Sequence, residues 1–449
     1  MSQEFTMPSS SRLERDVRRM YADQKGVRPG EIAIGVVIGR TSEFFDFFVY
    51  AIASVLVFPQ LFFPFFDRLT GVLCSFAIFA LAFVARPFGS AIFGAIDRRH
   101  GRGAKLTIAL FLLGGSTAAI SFLPGYAAVG PIAIWALAGL RVGQGLALAG
   151  AWDGMASLLA LNAPENKRGW YAMIPQLGAP FGFMLASGLF AYFVSTVGNH
   201  DFLDWGWRYP FFAAFAINVV ALFARLRIVA TEEFGALFEK RELRPVRLTS
   251  LMRAQGGNVL IGAFAPLATF AMFHLVTVFP LSWVALHDEA QALTFLRIEL
   301  AGALVGVLGI MASGWIADRI NRQNQLALSA LLIGGFSILA PWLLDAGSLG
   351  QTIYVVVGFA ILGLSFGQAA GSVSSGFTKR YRYTGAALTS DLSWLIGAGF
   401  APLAALALAS LWGLPAIGLY LASGAIATLI ALTIDRRQRL KAEAKTKAD

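Results

Sequence analysis

The chain has 449 residues, of which 57% are hydrophobic and only 14% carry a charge. Soluble domains carry about 25% charged residues, so this composition indicates a protein whose solvent is the lipid bilayer. The net charge of +10 does not indicate a nucleic-acid-binding protein, because the basic residues are spread over short polar segments.

Apolar runs long enough to cross about 30 Å of hydrocarbon recur along the chain. We predict an all-α integral membrane protein with twelve transmembrane helices, called spans 1 to 12. Their predicted ranges are 31–58, 70–95, 104–124, 131–160, 168–197, 207–228, 257–285, 291–316, 325–344, 351–377, 384–411 and 414–434.

Charge asymmetry supports the even number of spans. If the N-tail and every second loop lie in the cytoplasm, 30 of the 36 Lys and Arg residues lie on that side. Residues 1–30 are polar and basic and have no signal-peptide core, so we expect both termini to be cytoplasmic in a bacterial-type inner membrane. The single cysteine, Cys74, excludes an internal disulfide.

The sequence also predicts two similar halves, since the segment GAIDRRHGR follows span 2 and GWIADRINR follows span 8. A tandem duplication of six helices explains this echo, and secondary transporters are often built in this way. We therefore predict two pseudo-symmetric six-helix bundles. The predicted organisation is a cytoplasmic N-tail at 1–30, an N-terminal bundle at 31–228, a cytoplasmic linker at 229–256, a C-terminal bundle at 257–434 and a cytoplasmic C-tail at 435–449.

The two loop segments resemble the signature of the major facilitator superfamily, a glycine, an acid and arginines after spans 2 and 8. The resemblance implies the superfamily's fold and a gating role for these loops. The loop residues that match or replace the signature are Gly94, Asp97, Arg98, Arg102, Gly314, Asp318, Arg319 and Arg322.

A narrower set of segments is similar to the metabolite:proton symporter family. The matching segments are SEFFDFFVY from Ser42, FFP from Phe62, ARPFG from Ala85, RVGQG from Arg141 and WGWRYPF from Trp205. That family carries organic carboxylates, aromatic acids or zwitterionic osmolytes with protons. The resemblance also implies that Arg141 takes part in coupling, whereas Arg40 is an addition to the family's pattern.

Span 1 carries an unusual number of charges for a segment in hydrocarbon. Arg40, Glu43, Asp46 and Tyr50 are three, three and four residues apart, which places them on one helical face. Ionisable residues in a bilayer are functional candidates by default. We interpret Glu43 and Asp46 as proton-coupling candidates and leave open which carries the proton; the alternative is a static Arg40–Glu43 ion pair.

Other polar residues in the predicted spans extend the candidate site. Asp153 and Glu299 are further proton-coupling candidates, although Asp153 also fits a gating or packing role. The predicted substrate-binding residues are Arg40, Tyr50, Arg141, Gln144, Gln176, Arg297, Gln368 and Trp394. Arg86 and Asp391, near the cytoplasmic ends of spans 2 and 11, are assigned to gating, and Asp391 could pair with Arg86 or with the linker.

Enzymatic function has little support in this sequence. The four histidines are scattered without an HExxH pattern, and there is no P-loop, so neither a metal centre nor ATP hydrolysis is expected. We predict a monomeric secondary transporter without a cofactor, driven by the proton gradient, that imports a small and anionic organic acid. The alternatives are uptake of a zwitterionic osmolyte, proton-coupled efflux, for which the PQLGAPFG segment of span 5 is a loose indication, and a non-transporting receptor.

Overall fold

The computed structural model describes residues 29–151, 159, 163–229, 245–374, 376–378 and 380–448. Ten stretches of these residues are helical, long enough and apolar enough to cross a membrane. One of the ten, Arg68–Ser121, contains two helices that meet at Gly101. The 28-residue helix Pro29–Leu56 adds a further span. It is not among the ten because Arg40, Glu43 and Asp46 place three charges in every 18-residue stretch of it. The predicted all-α membrane fold with twelve spans is therefore confirmed.

The spans have the following observed bounds. Span 1 is Pro29–Leu56, spans 2 and 3 are the two parts of Arg68–Ser121, span 4 is Pro131–Gly150, span 5 is Arg168–Met173 with Gly178–Thr196, span 6 is Arg208–Val229, span 7 is Leu248–Phe264 with Leu267–Thr277 and Phe279–His287, span 8 is Gln291–Ile320, span 9 is Arg322–Asp345, span 10 is Gly347–Ser374, span 11 is Arg382–Ser393 with Ala401–Trp412, and span 12 is Pro415–Ala448.

The packing of the spans repeats between the halves. Span 1 packs against spans 5 and 6, and span 7 packs against spans 11 and 12 in the same way. Across the interface, span 8 packs against span 5 and span 2 packs against span 11. Span 8 is the repeat of span 2, and span 11 is the repeat of span 5, so the two contacts are equivalent. This is the pseudo-symmetry that the repeated loop segments predict.

Spans 5 and 11 are also alike in being irregular near their middle. Span 5 passes through a 3₁₀ turn at Ile174–Leu177, where Pro175 cannot donate a helical hydrogen bond. Span 11 contains a π-helical turn at Trp394–Gly399. Such interruptions expose backbone groups and are frequent at functional sites.

The turns after spans 2 and 8 share an unusual backbone conformation. Gly101 has φ of 84°, and Asn321, at the equivalent place in the second loop, has φ of 64°. Glycine adopts positive φ at little cost, and asparagine is among the residues that tolerate it best. The Asn321 side chain also accepts the Asn324 N–H at 3.0 Å and so caps span 9.

The predicted boundaries of bundles, linker and tails stay predictions. Span 7 begins at Leu248, nine residues before the predicted position 257, and span 12 remains helical to Ala448. Residues 1–28 of the predicted N-tail and residues 230–244 of the predicted linker lie outside the described ranges.

Candidate functional site

Glu43 is held between two arginines in the N-terminal half. One carboxylate oxygen contacts Arg40 Nη1 on the same helix, and the other contacts Arg225 Nη2 on span 6. Arg225 is buried and also donates to the Ala151 carbonyl at 2.9 Å. It fits against span 1 because position 39 is glycine, where a Cβ would lie 2.3 Å from Arg225 Nε. Glu43 is thus a buried charge whose two oxygens are both matched by cations.

Asp46 lies one helical turn further along span 1 in a different environment. One carboxylate oxygen accepts the Asn218 amide of span 6 at 2.6 Å, and the other has no hydrogen-bond partner among the described residues. Ser42 orients that amide by donating to the Asn218 side-chain carbonyl at 2.8 Å. No ion pair of Asp46 occurs within the described part of the chain, in contrast to Glu43.

Arg141 of span 4 is buried close to this acid and is only partly satisfied. Its Nε donates to the Phe79 carbonyl at 3.1 Å, and its Nη1 donates to Gln144 at 2.9 Å. The second guanidinium nitrogen, Nη2, has no partner among the described residues. The guanidinium lies 4.0 Å from the Tyr50 ring centroid, and the Tyr50 hydroxyl is likewise without a partner in that range. The Nη2 atom of Arg141 can therefore donate a hydrogen bond to an anion.

A cluster of rings from both halves lies beside these polar groups. We call it the central aromatic cluster, and it consists of Phe44, Phe47, Phe48, Phe79 and Phe83 from the N-terminal half with Phe270, Phe273, His274, Phe366 and Trp394 from the C-terminal half. Beside it, a small apolar cavity is lined by spans 1, 5, 7, 8 and 10. The centre of the molecule is therefore apolar, with polar groups at its edge.

On the predicted cytoplasmic side, polar contacts join the halves, and two sets of them involve residues that the sequence assigned to gating. Arg86 of span 2 donates to Asp391 of span 11 at 3.1 Å, and Ser90 also contacts Asp391. The Asp318 carboxylate of span 8 accepts the backbone N–H of Gly169 at 2.6 Å and of Trp170 at 3.2 Å. These contacts close the interface at this side, and we call them the two clasps.

The two copies of the loop signature are not used alike. In the second copy Asp318 forms a clasp, whereas in the first copy Asp97 faces Arg102 at 3.6 Å and Lys105 at 3.9 Å within its own half. The acid stands one residue earlier in the first copy than in the second, which explains this difference.

The remaining loop residues have varied surroundings. Arg98 and Arg319 are exposed, Gly314 packs on the Trp170 backbone, Gly94 is half-buried, and Arg322 lies near Gln368.

The remaining predicted site residues have different positions and partners. Gln368 donates to the Gly169 carbonyl at 3.1 Å and so belongs to a clasp. Gln144 donates to Thr117 at 2.7 Å and supports Arg141. Gln176 is buried in the 3₁₀ turn of span 5, and Arg297 is exposed rather than packed inside. Asp153 lies outside the described residues.

Glu299 of span 8 is fully buried, and neither carboxylate oxygen has a hydrogen-bond partner among the described residues. An ionised carboxylate in such a place costs several kcal/mol, so the neutral acid is the form that fits. Glu299 is thus a second buried acid, in the other half from Asp46.

Asn218, Arg225 and His274 are buried polar residues that the sequence analysis did not single out. Asn218 and Arg225 lie seven residues apart on span 6 and so share a face, which is the pattern that could have revealed them. His274 lies alone within the apolar part of span 7, and its position in an otherwise hydrocarbon-compatible run was the available signal. Among the described residues, no group of three or more His, Cys, Asp or Glu side chains is placed to hold a metal ion.

Comparisons with known proteins agree with this architecture. The family model "Major Facilitator Superfamily" matches residues 44–391. The inner membrane metabolite transport protein YhjE of Escherichia coli is 36% identical over 420 residues, which cover 91% of this chain and 94% of YhjE. The shikimate transporter of Escherichia coli is 30% identical over 426 residues, which cover 92% of this chain and 96% of the transporter.

The fold is similar to that of the proton:xylose symporter XylE bound to 6-bromo-6-deoxy-D-glucose. The two structures align with a TM-score of 0.67 at 17% sequence identity, covering 91% of this chain and 95% of the XylE chain. At this identity the likeness concerns the arrangement of helices alone.

Proposed function

Since this chain belongs to the major facilitator superfamily, we propose that it imports a small carboxylate together with a proton by alternating access. One observation carries the proposal. Deep in the N-terminal half, an acid without a cationic contact, Asp46, lies close to an arginine whose Nη2 has no hydrogen-bond partner among the described residues, Arg141.

Membership in the superfamily sets the broader frame. The chain is a transporter of small metabolites rather than an enzyme, and it is a multi-pass protein of the inner membrane. The metabolite:proton symporter resemblance agrees with relatives that are metabolite transport proteins.

In this proposal Asp46, rather than Glu43, carries the proton. The two arginines hold Glu43 as a carboxylate, and protonating it would remove the negative charge that faces Arg40 and the buried Arg225. Asp46 accepts a hydrogen bond from the neutral Asn218 amide and has no ion pair among the described residues, so the protein can hold it in either its charged or its neutral form. Glu299 is a candidate for a second proton site in the C-terminal half.

The substrate's carboxylate binds Arg141 in this proposal. A guanidinium cannot lose its proton and can grip a carboxylate through parallel hydrogen bonds. Tyr50 lies under the guanidinium, and the central aromatic cluster supplies an apolar wall for the rest of the molecule. Few polar groups beside a large apolar surface are typical of small-molecule sites.

The cycle then consists of rocking of the two halves about this site. Opening toward the cytoplasm requires that both clasps break. The ion pair between Arg86 and Asp391 and the hydrogen bond from the Gly169 N–H to Asp318 are then lost. Substrate and proton together neutralise the central charges and lower the cost of passing through the closed state. We propose the predicted organisation for this movement, with bundles at 31–228 and 257–434, both termini cytoplasmic, a monomeric transporter and no cofactor.

The experiment is uptake by the purified protein in proteoliposomes with and without an imposed pH gradient. Labelled shikimate, simple carboxylates and glycine betaine serve as candidate substrates. We expect an inwardly directed proton gradient to drive accumulation of a carboxylate and alkalinisation outside. Accumulation of betaine alone would favour the zwitterion alternative, proton movement opposite to the substrate would favour efflux, and binding without movement would favour a receptor.

A further inference from the structure

His274 is a polar residue in the central aromatic cluster for which the transport cycle above has no role. It is fully buried on span 7, and neither ring nitrogen has a hydrogen-bond partner among the described residues. Burying an imidazole in this way sacrifices its hydrogen bonds to water, whereas a phenylalanine of similar shape would pack there without that loss. A side chain kept at a cost to stability points to a use outside this closed state.

The rings around His274 belong mostly to the opposite half. Its ring stacks on Phe47 at 5.2 Å between centroids with 26° between planes, and it meets the edges of Phe79 at 5.5 Å and Phe83 at 6.1 Å. His274 therefore reaches from the C-terminal half into the wall that spans 1 and 2 form. Movement between the halves changes its surroundings directly.

Arg141 and His274 approach the same ring. The Arg141 guanidinium carbon lies 4.6 Å from the centroid of Phe79, which also contacts His274. The two side chains come from different halves, and each has a polar atom without a partner among the described residues. Both side chains therefore border the space that the Phe79 ring fills, so a ring-sized molecule that takes the place of this ring can reach both.

We propose that His274 is the substrate ligand supplied by the C-terminal half. Arg141 holds the carboxylate, and the imidazole exchanges hydrogen bonds with a hydroxyl group at the far side of the substrate. A neutral imidazole offers one donor and one acceptor, which a hydroxyl matches with its own acceptor and donor. The inference rests on the proposed function and narrows its substrate to a hydroxylated carboxylic acid about as large as a six-membered ring.

The size and polarity of that class follow from the neighbours. Phe47, Phe79 and Phe83 offer ring faces and edges to an apolar body, whereas an acid without a hydroxyl leaves the imidazole nitrogens unpaired in the loaded state. Sites built to hydrogen-bond a hydroxyl reject analogues that lack it, because the unpaired protein groups stay desolvated. His274 thus sets selectivity between hydroxylated and unhydroxylated acids.

The test compares two probes on the purified full chain by calorimetric titration. Shikimate carries hydroxyls on a six-membered ring carboxylate, and 1-cyclohexene-1-carboxylate has the same ring without them. We expect the wild-type protein to prefer shikimate by about 10- to 100-fold. His274→Phe should bring this ratio close to one, chiefly by weakening shikimate, without lowering the melting temperature of the unliganded protein.

Two further variants keep the result interpretable. His287→Phe makes the same change at the exposed end of span 7, where the ring contacts the Trp283 carbonyl at 2.8 Å, and it should keep the wild-type ratio. His274→Gln retains a donor and an acceptor and should retain part of the preference, and it replaces His274→Phe if that variant does not fold.

A wild-type protein that does not distinguish the probes, or a His274→Phe protein with an unchanged ratio, would overturn the inference. Binding of neither probe would overturn it as well. Proton-driven uptake of a different acid would in that case leave the proposed function standing, so the two failures can be told apart.

Discussion

Glu43 and Asp46 lie one helical turn apart on the same face of span 1, yet they contact different kinds of side chain. Both are buried, with 7% and 2% of their surface exposed, so burial does not separate them. Arg40 and Arg225 fix Glu43 as a carboxylate, while Asp46 meets the neutral amide of Asn218. The comparison teaches that two acids at similar depth can differ in their partners, and this difference is the basis for proposing Asp46 as the proton carrier.

The largest effect is expected from Glu43→Gln, which removes one charge from the Arg40–Glu43–Arg225 cluster. Buried Arg225 then loses a carboxylate partner, and breaking a buried ion pair from one side typically costs about 3–5 kcal/mol. We expect a marked fall in melting temperature and in the yield of folded protein.

Glu289→Gln is the matched control for this change. Glu289 pairs with Arg68 at 3.2 Å, but its side chain is 57% exposed. Solvent-exposed pairs contribute little, so the melting temperature should hardly change. If the Glu43→Gln protein were as stable as this control, Glu43 would have no structural role in holding Arg40 and Arg225, and the proposed difference between the two acids would be contradicted.

Arg141→Lys is expected to have the next largest effect. Lysine keeps the positive charge but cannot reproduce the planar set of donors that reaches the Phe79 carbonyl, Gln144 and an incoming carboxylate. We expect binding of a carboxylate substrate to weaken by about 10- to 100-fold, measured by titration. Arg297→Lys, at an exposed position, serves as the control, and equal affinity in both variants would contradict substrate contact by Arg141.

Asp391→Asn should have a smaller effect, because it weakens a contact that has to break in every cycle. The clasp to Arg86 loses its ion pair, and the interface opens more often on the predicted cytoplasmic side. Alkylation of a cysteine placed at Ser393, in a Cys74→Ala background, should become several-fold faster. An unchanged rate would show that the Arg86–Asp391 pair does not control opening. This pair would then not differ in function from the ion pairs that hold Glu43 in place.

Much of the fold could be predicted from the sequence because hydrocarbon imposes length and apolarity on each span. The duplicated loops after spans 2 and 8 likewise predicted the halves. For Asp391 the sequence left Arg86 and the linker open as partners, and the structure shows the contact with Arg86. The substrate's identity stays a matter of proposal, since its recognition depends on side chains brought together from several spans.

The roles of the acids in span 1 needed the structure. Helical spacing places Glu43 and Asp46 on one face, but it does not reveal that Arg225 and Asn218 of span 6 approach them separately. Arg225 lies close to the end of span 6, and its position there did not single it out. Arg297 lies within span 8 as predicted, but its side chain is exposed, whereas the sequence assigned it to substrate binding.

The role of Asp46 as proton carrier is tested most directly by Asp46→Asn in proteoliposomes. Two rates are measured on the same preparation: accumulation driven by a pH gradient, and exchange of labelled for unlabelled substrate without a gradient. The account predicts that accumulation above the equilibrium ratio is lost while exchange persists, because asparagine mimics the protonated acid in shape but cannot release a proton. Gradient-driven accumulation at the wild-type level in Asp46→Asn would contradict it.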